Sequence, residues 1–442
     1  MRIRDCARNC NSRAGEARIP AAVKLCIGLG DKPGRKRKIQ FIMKKAFLLL
    51  LCGALAFSAC DKNNPEGGVK ESDLTGEPVD LSEFGYTGPR KIFILNEGQK
   101  GANNASLDVI RFSDKQYLSG VFKKVNPGAG GLGDVGNDIA VIGDEVWIVV
   151  NNSGIVEVIS AEDEKEIAAI QVPTPRRIAY DDDYVYVTSW AGAFVDGSYD
   201  ESYNFVVTDS ANPKGQVYRI DRKTKKVKGS VEVGYQPEGI GLLEGKLYVA
   251  NSGGISCQIA PDYAYDHTIS VIDAASFTVS ETIDVVDVEG GTRRVVNLKD
   301  VYVEHFNKKI YFTALGDYGD NHSGLYYIQN DGNIYLASHY VSVSARYVNE
   351  IYCIGTEQEF DWDATSKEWS VWSWSGNHKV TYFNSFLKDM AVPYGLFLYN
   401  DRILFVSDAG DYFNPGTVTM IANGEKVWTV TAGVCPGHFA IW

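Results

Sequence analysis

A short apolar strand followed by a small or amide residue recurs seven times along this chain of 442 residues. Repetition of one strand-sized unit predicts a radial β-architecture. The spacing of roughly 40 to 60 residues leaves room for four short strands and their turns, which is the content of one β-propeller blade. The seven strands are 92–96, 146–151, 184–189, 247–251, 310–314, 351–355 and 403–407.

A second strand pattern precedes most of the repeats, and the two ends of the chain each hold only one strand of this pair. A Pro or Gly turn and a small apolar strand precede four of the repeats, at 136–141, 175–180, 237–242 and 393–398. The same pattern ends the chain at 436–442 with no partner after it, and 92–96 has no such strand before it. We therefore predict an all-β, seven-bladed β-propeller over 89–442, closed by pairing of the C-terminal strand with the N-terminal blade, which removes a free sheet edge. Two β-sandwiches, the alternative, would not explain the matched head and tail.

The first 88 residues carry targeting patterns instead of strands. Residues 1–42 hold eleven basic and three acidic side chains, and we expect them to be an upstream translation artefact before Met43. Residues 43–59 have the charged start, short apolar run and small-residue end of a secretory signal peptide. The run is too short for a membrane span. Phe57-Ser58-Ala59-Cys60 resembles a bacterial lipobox, so Cys60 is the predicted lipidated residue and 60–88 a flexible, lipid-anchored tether.

The charge of the chain limits its partners. The whole sequence has a formal net charge of −12, and the acidic excess grows once the basic first segment is removed. An acidic protein is a poor partner for nucleic acid or for an anionic membrane face, so neither is expected. Beyond Cys60 the chain keeps Cys257, Cys353 and Cys435, whose spacing implies no disulfide framework. Buried thiols are expected, and one bridge stays open.

Long insertions follow the repeated strand in six of the repeats. In a propeller blade the loop between the second and third strands emerges on the face where one blade connects to the next. These insertions therefore share one face, and binding residues gather in loops on a rigid scaffold. They are 97–106, 190–214, 252–267, 315–323, 356–378 and 408–416, and they are rich in Tyr, Phe and Trp. Trp362, Trp369, Trp372 and Trp374 are expected in the fifth of them.

Aromatic rings with polar tips, joined by charged residues from the blade-to-blade turns, predict a broad binding surface on that face. Packing of the same rings onto the scaffold is the alternative for any one of them. We expect Arg176, Trp190, Tyr263, Tyr394 and His438 to line one cavity near the ring axis. The full set of candidate ligand-binding residues is Arg176, Trp190, Glu238, Tyr263, Arg294, Tyr394, Asp408 and His438.

Patterns of catalytic or metal chemistry are weak. The six histidines are scattered over the blades, and the chain has no HExxH, GxSxG or phosphate-loop spacing. The stretch 317–322 could hold a hard cation, but a polar turn is the simpler interpretation. Asp408 and Asp411 could be paired carboxylates for glycosidic chemistry, yet Asp is common in turns. We therefore predict no catalytic residue, no metal and no cofactor.

Several motifs carry a resemblance to known propellers. Tyr186-Val187-Thr188-Ser189 and Tyr248-Val249-Ala250-Asn251 resemble the YVTN-type repeat. The chain is more closely similar to surface lipoproteins of gut Gram-negative bacteria that capture cobalamin, the BtuG-like group. The matching stretches are Asn96-Glu97-Gly98, 147–153, Pro175-Arg176-Arg177, Gln236-Pro237, Tyr394-Gly395-Leu396 and 436–439. The resemblance covers about residues 92–442, and it implies an outer-membrane location and a TonB-dependent transporter as partner.

Three classes of function follow from these patterns. The leading expectation is a non-enzymatic surface protein that binds cobalamin, a related corrinoid or another large polar nutrient. A glycan hydrolase or lyase using Asp408 or His438 is the second class, and a structural or adhesive surface protein is the third. The absence of a convergent His and carboxylate motif disfavours the enzyme, and the clustered aromatic insertions disfavour a purely structural role.

Overall fold

The computed structural model contains seven antiparallel sheets of four or more strands, arranged as a ring of blades. This confirms the predicted seven-bladed β-propeller. The seven repeated strands of the sequence are the second strands of the blades, counted outward from the axis. The structure describes residues 68–85, 88–192, 194–199, 205–211, 213–253, 265–287, 293–317, 322–329, 332–356, 369–375, 378–381 and 385–442.

The first four blades each run outward from an innermost strand at the axis. In that order, blade 1 consists of Pro436–Ile441, Lys91–Asn96, Ser106–Arg111, Gln116–Leu118 and Glu77–Pro78. Blade 2 consists of Gly136–Ile142, Glu145–Val150, Ile155–Ser160 and Glu166–Gln171. Blade 3 consists of Pro175–Tyr180, Tyr184–Ser189, Gln216–Asp221 and Lys226–Glu232, and blade 4 of Pro237–Leu243, Lys246–Asn251, Thr268–Asp273 and Thr278–Asp284.

The remaining blades follow the same order. Blade 5 consists of Leu298–Glu304, Lys309–Ala314, Gly324–Ile328 and Ile334–His339. Blade 6 consists of Val341–Tyr347, Glu350–Thr356, Trp369–Ser375 and His378–Thr381, and blade 7 of Pro393–Leu398, Ile403–Asp408, Pro415–Ala422 and Glu425–Val434. Outside the blades lie the two-stranded ribbons Phe194–Tyr199 with Phe205–Ala211 and Val286–Asp287 with Arg293–Arg294, the α-helix Val121–Val125, and the 3₁₀ turns Glu71–Asp73, Ser82–Phe84, Pro127–Ala129 and Ser385–Leu387.

The C-terminal strand closes the ring as predicted. Pro436–Ile441 pairs antiparallel with Lys91–Asn96, with Ile92 opposite Ile441 and Ile94 opposite Phe439. The backbone N–H of Trp442 donates to the Lys91 carbonyl at 3.0 Å, which extends the pairing by one residue. The first blade therefore takes its innermost strand from the other end of the chain.

Each second strand has an apolar central run because both of its faces are covered by neighbouring blades. All six residues of Lys91–Asn96 are buried. Phe93 and Leu95 pack in a cluster with residues of blade 2, whereas Ile92 and Ile94 pack in a cluster with residues of blade 7. A strand buried on both faces shows a continuous apolar run instead of polar–apolar alternation. This is the physical origin of the sevenfold sequence repeat.

The folded domain begins earlier than the predicted tether allows. Residues 60–88 are expected to be flexible, but the described part from residue 68 to 85 packs on blade 1. Glu77 and Pro78 pair with Tyr117 and Gln116 at the outer edge of that blade. Glu71 is buried and accepts a hydrogen bond from Arg111 Nη1 at 2.8 Å. Polar composition suggested a tether, whereas the buried side chains Val79, Leu81 and Phe84 anchor this segment.

The tryptophan-rich stretch of the fifth insertion is a strand, which corrects the sequence interpretation. Trp369–Ser375 is the third strand of blade 6, and its residue Trp372 is fully buried opposite Cys353. From Trp372 to Ser375, Trp and Ser alternate with the period of two that a strand requires. Only the part of the insertion that precedes Trp369 remains a loop candidate, and it lies outside the described residues.

The remaining predictions about the fold concern the cysteine thiols and the membrane-targeting segment. Cys353 and Cys435 are buried and form no disulfide among the described residues, and Cys257 lies outside them. The signal peptide and Cys60 also lie outside them. In the described part of the chain, no helix reaches the length and apolarity that a membrane crossing needs.

Candidate functional site at the axial cavity

Backbone strain recurs at one end of the innermost strands, on the face where the insertions emerge (the insertion face). Six of the seven innermost strands follow directly on a residue other than glycine with positive φ. Such residues are uncommon, and a β-branched one such as Val135, with φ of 62°, is an outlier. The six residues are Val135, Thr174, Gln236, Asn297, Tyr340 and Cys435. Each conformation costs on the order of 1–3 kcal/mol, and strain of this kind clusters at ligand sites.

One hydrogen bond recurs beside these strained residues. The first residue after a second strand donates its backbone N–H to the carbonyl of the residue before the innermost strand. Examples are Asn151 to Val135 at 2.7 Å and Glu97 to Cys435 at 2.9 Å. A register shift follows at the start of every innermost strand. Such shifts bend the strand and re-aim its side chains. The residues that follow the shift line the axis.

A cavity of about 330 Å³ lies on the ring axis and is lined by all seven innermost strands. We call it the axial cavity. Its polar lining on the insertion face includes Asp138, Arg177, Asp300, Tyr394 and His438. The wall also includes the apolar residues Ile178, Ile240, Val343, Leu396, Phe397 and Phe439, together with Tyr302, Ser344 and Arg346. A polar mouth above a partly apolar chamber is typical of a small-molecule site.

Arg177 is the central side chain of the mouth. It starts on blade 3, and its Nη1 donates to the backbone carbonyl of Asn137 on blade 2. The same nitrogen lies 3.1 Å from Nδ1 of His438 on blade 1, and Nη2 lies 3.6 Å from a carboxylate oxygen of Asp300 on blade 5. One guanidinium therefore links four blades. Burial works against its charge, but the surrounding carboxylates outweigh burial and raise the pKa of Arg177.

Glu97 connects His438 to Tyr394. Its Oε1 lies 3.1 Å from His438 Nε2, and its Oε2 accepts a hydrogen bond of 2.6 Å from the Tyr394 hydroxyl. Burial alone would raise the pKa of Glu97, but the bonds from His438 and Tyr394 and the charge of Arg177 lower it below its usual value. Burial and the Glu97 charge raise the pKa of Tyr394 well above its usual value. Glu97 is therefore ionised and Tyr394 neutral at physiological pH.

Arg176 belongs to a second, adjoining cluster. Its Nε donates to both carboxylate oxygens of Glu238 at 3.0 Å, and its Nη1 donates to Oδ1 of Asn137 at 2.6 Å. The guanidinium carbon lies 4.4 Å from the ring centroid of Trp190, which is a cation–π contact. The Arg176 guanidinium contacts Glu238, Asn137 and Trp190. It therefore holds Glu238 and Trp190 beside the mouth and does not line the cavity.

The structure brings together five of the eight candidate binding residues. Tyr394 and His438 line the axial cavity, and Arg176, Trp190 and Glu238 form the cluster beside it. Tyr263 lies outside the described residues, and Arg294 is described only as a backbone position opposite Val286 in a short ribbon.

Asp408 has a structural environment of its own. Its carboxylate accepts hydrogen bonds from the backbone N–H groups of Ala391, Val392 and Gly410, each at 2.8 Å. Asp411 likewise accepts from Phe413 and Asn414. Both carboxylates are used to cap turns, as Asp residues commonly are.

Sequence reasoning did not single out Glu97, Asp138 or Asp300 as site residues. Asp138 and Asp300 are each the third residue of an innermost strand, as are Arg177 and His438 in their own blades. Counting to the third residue of each innermost strand recognised in the sequence would have found Asp138, whereas the strand that holds Asp300 was not recognised. Glu97 is the first residue after the second strand of blade 1, a position that recurs at Asn151 and Ser252.

The described part of the chain contains no group of three or more His, Cys, Asp or Glu side chains that could hold a metal ion. Part of the stretch 317–322, the candidate hard-cation turn, lies outside the described residues. At the mouth, Glu238 pairs with Arg176, Asp300 lies near Arg177, and Glu97 contacts His438.

Comparison with known proteins gives similarity of fold alone. No protein-family model and no curated protein matches the chain. Among solved structures, it is similar to the hydrazine synthase of Kuenenia stuttgartiensis, with 15% identity and a TM-score of 0.49 over 69% of this chain and 88% of that one. It is also similar to a streptogramin B lyase, with 9% identity and a TM-score of 0.45 over 69% and 86%. AztD from Citrobacter koseri has 9% identity and a TM-score of 0.44 over 80% and 97%.

Proposed function

We propose that this protein is a non-enzymatic capture protein that binds a large polar small molecule at the mouth of its axial cavity. The observation that carries the proposal is the convergence of seven bulged innermost strands, six of them entered through strained residues, on one small polar cavity. Strain that the fold maintains at one place is a feature of preorganised sites. Preorganisation reduces the entropy lost on binding, so it favours affinity.

The sequence resemblance to cobalamin-capturing surface lipoproteins makes a corrinoid the proposed ligand. A cavity of about 330 Å³ is at the small end of ligand pockets, which span about 300–1,000 Å³. A corrinoid would therefore rest across the mouth, against Trp190 and Tyr394, and extend one polar arm into the cavity. Aromatic and Arg groups at the centre of such contacts usually carry most of the affinity.

The proposed setting follows from the sequence. A lipid on Cys60 anchors the protein to the outer membrane, and the captured ligand passes to a TonB-dependent transporter. The folded domain starts near residue 68, so few residues separate the anchor from blade 1. A short connection keeps the propeller close to the membrane in which such a transporter lies.

Calorimetry of the full chain in detergent tests the proposal, with cyanocobalamin, cobinamide and a panel of glycans as probes. We expect corrinoid binding that Trp190→Ala weakens at least tenfold. Tyr180→Ala is the matched control, because Tyr180 ends the innermost strand of the same blade on the opposite face and is 46% exposed. Absence of corrinoid binding would refute the proposed ligand. Turnover of a glycan that requires Asp408 would refute the non-enzymatic function.

A further inference from the structure

We propose that the axial cavity admits a neutral carboxamide arm of its ligand and rejects the corresponding carboxylate. This inference rests on the proposed function and deepens it by naming the chemical group that enters the cavity. Three features of the mouth carry it: a central guanidinium with one unused N–H donor, carboxylates that already match its charge, and donors and acceptors side by side in the wall.

The first feature is the incomplete hydrogen bonding of Arg177. Its Nη1 is used by the Asn137 carbonyl and His438, and its Nη2 faces Asp300 at 3.6 Å. Its Nε–H is buried and has no acceptor among the described residues. A buried donor without an acceptor is costly. A carbonyl oxygen that enters the cavity removes this cost once the side chain turns towards it.

The second feature is the sign of the charge around Arg177. Four carboxylates act on this guanidinium, namely Asp138, Asp300, Glu238 and Glu97. Burial alone would raise the pKa of Asp300. Lys299, Arg177 and the hydrogen bond from Thr313 outweigh burial and lower that pKa below its usual value, so Asp300 stays ionised. Arg176 and Lys299 add positive charge nearby, but each is balanced by an adjacent carboxylate, Glu238 or Asp300. His438, beside Glu97, and Arg346, bonded to backbone carbonyls of Val303 and Val348, complete the charged and titratable groups of the site. The charge of Arg177 is already matched by carboxylates, so an anionic group finds no unpaired cation at the mouth. It meets Asp138 and Asp300 as like charges in a site where water screens them little.

The third feature is the mixture of donors and acceptors in the wall. Arg177 and Lys299 offer N–H groups, while Asp138 and Asp300 offer carboxylate oxygens, and all four line the cavity. A primary carboxamide has a carbonyl acceptor and two N–H donors, so it complements both kinds of group. A carboxylate has acceptors alone and would face Asp300 as a like charge. A ligand amine would face Arg177 in the same way.

Matched amide and acid probes test the inference. Calorimetry compares cyanocobalamin with its monocarboxylate derivatives, in each of which one propionamide has become a propionate. We expect one derivative, that of the entering arm, to bind at least tenfold more weakly, which corresponds to about 1.4 kcal/mol. Asp300→Asn should narrow this ratio because it removes the facing charge. Glu281→Gln, on an outer strand of blade 4, should leave the ratio unchanged. Equal binding of all derivatives would overturn the inference.

A second pair of probes separates this inference from the proposed ligand. Saturation-transfer NMR of the full chain with propionamide and with propionate should show saturation of the amide alone. Arg177→Gln should abolish that saturation, with circular dichroism verifying that the variant folds. If propionamide binds and no corrinoid does, the proposed ligand fails and the inference stands. Preference for propionate, or no saturation of either probe, refutes the inference.

Discussion

Glu157 offers a sharp test of the packing between blades 1 and 2. It lies in the middle of the third strand of blade 2 and is 3% exposed. Its neighbours Val156 and Val158 pack in the cluster shared with blade 3, so alternation directs Glu157 to the blade 1 side, where Ile148 and Ile159 are buried. Its Oε1 has no hydrogen-bond partner among the described residues. Burial, aided by the charge of Glu166, raises the pKa of Glu157 to about 8.

The effect on stability follows from linkage. In the unfolded chain this carboxyl ionises near its ordinary pKa of 4.5, whereas in the folded protein it stays protonated up to about 8. Between these values the folded state binds more protons than the unfolded state, so stability falls as the pH rises. The slope is about 1.4 kcal/mol per pH unit. Raising the pH from 5 to 7.5 should therefore remove about 3 kcal/mol from the free energy of unfolding through this group alone.

Glu157→Gln keeps the shape of the side chain and removes the titration. Urea unfolding at equilibrium, measured at several pH values between 5 and 7.5, should show the variant gaining on the parent by about 3 kcal/mol across that range. Any constant cost of the buried amide cancels in this comparison, and so does the raised pKa of Glu164, which both proteins share. Glu166→Gln removes the exposed charge that helps to raise the pKa of Glu157, so this variant should show a shallower pH dependence of stability than the parent. A free-energy difference that does not change with pH would refute the reasoning.

Three further predictions concern closure, anchoring and the arginine pair. Deletion of 435–442 removes the innermost strand of blade 1 and should abolish cooperative unfolding, whereas a melt like that of the parent would contradict the closure. Cys60→Ala should release the protein from membranes or leave it unprocessed in cell fractionation, and equal retention with normal processing would count against lipidation. Arg176→Gln should cost about 1–3 kcal/mol of stability by leaving Glu238 without its partner, with thermal melting as the measurement and an unchanged melt as the contrary result.

The sequence was sufficient for the blades because each second strand is buried on both faces and so keeps an uninterrupted apolar run. It was less informative about two innermost strands, Leu298–Glu304 and Val341–Tyr347. These follow Asn297 and Tyr340, which adopt positive φ without a Pro or Gly turn to mark the position. Composition also misled for Trp369–Ser375. This aromatic-rich stretch was assigned to a loop, although Trp and Ser alternate from Trp372 to Ser375 with the period of a strand.

The two adjacent arginines show why the site itself needs three dimensions. Arg176 and Arg177 are consecutive in Pro175–Tyr180, and side chains alternate along a strand. Which of them reaches the axis depends on the register shift near Ser189, since a slip of one residue exchanges the two faces. Thr174, with positive φ, directly precedes the strand. The shift recurs at the start of every innermost strand. In four blades the third residue of that strand lines the cavity with a polar side chain, and these residues are Asp138, Arg177, Asp300 and His438.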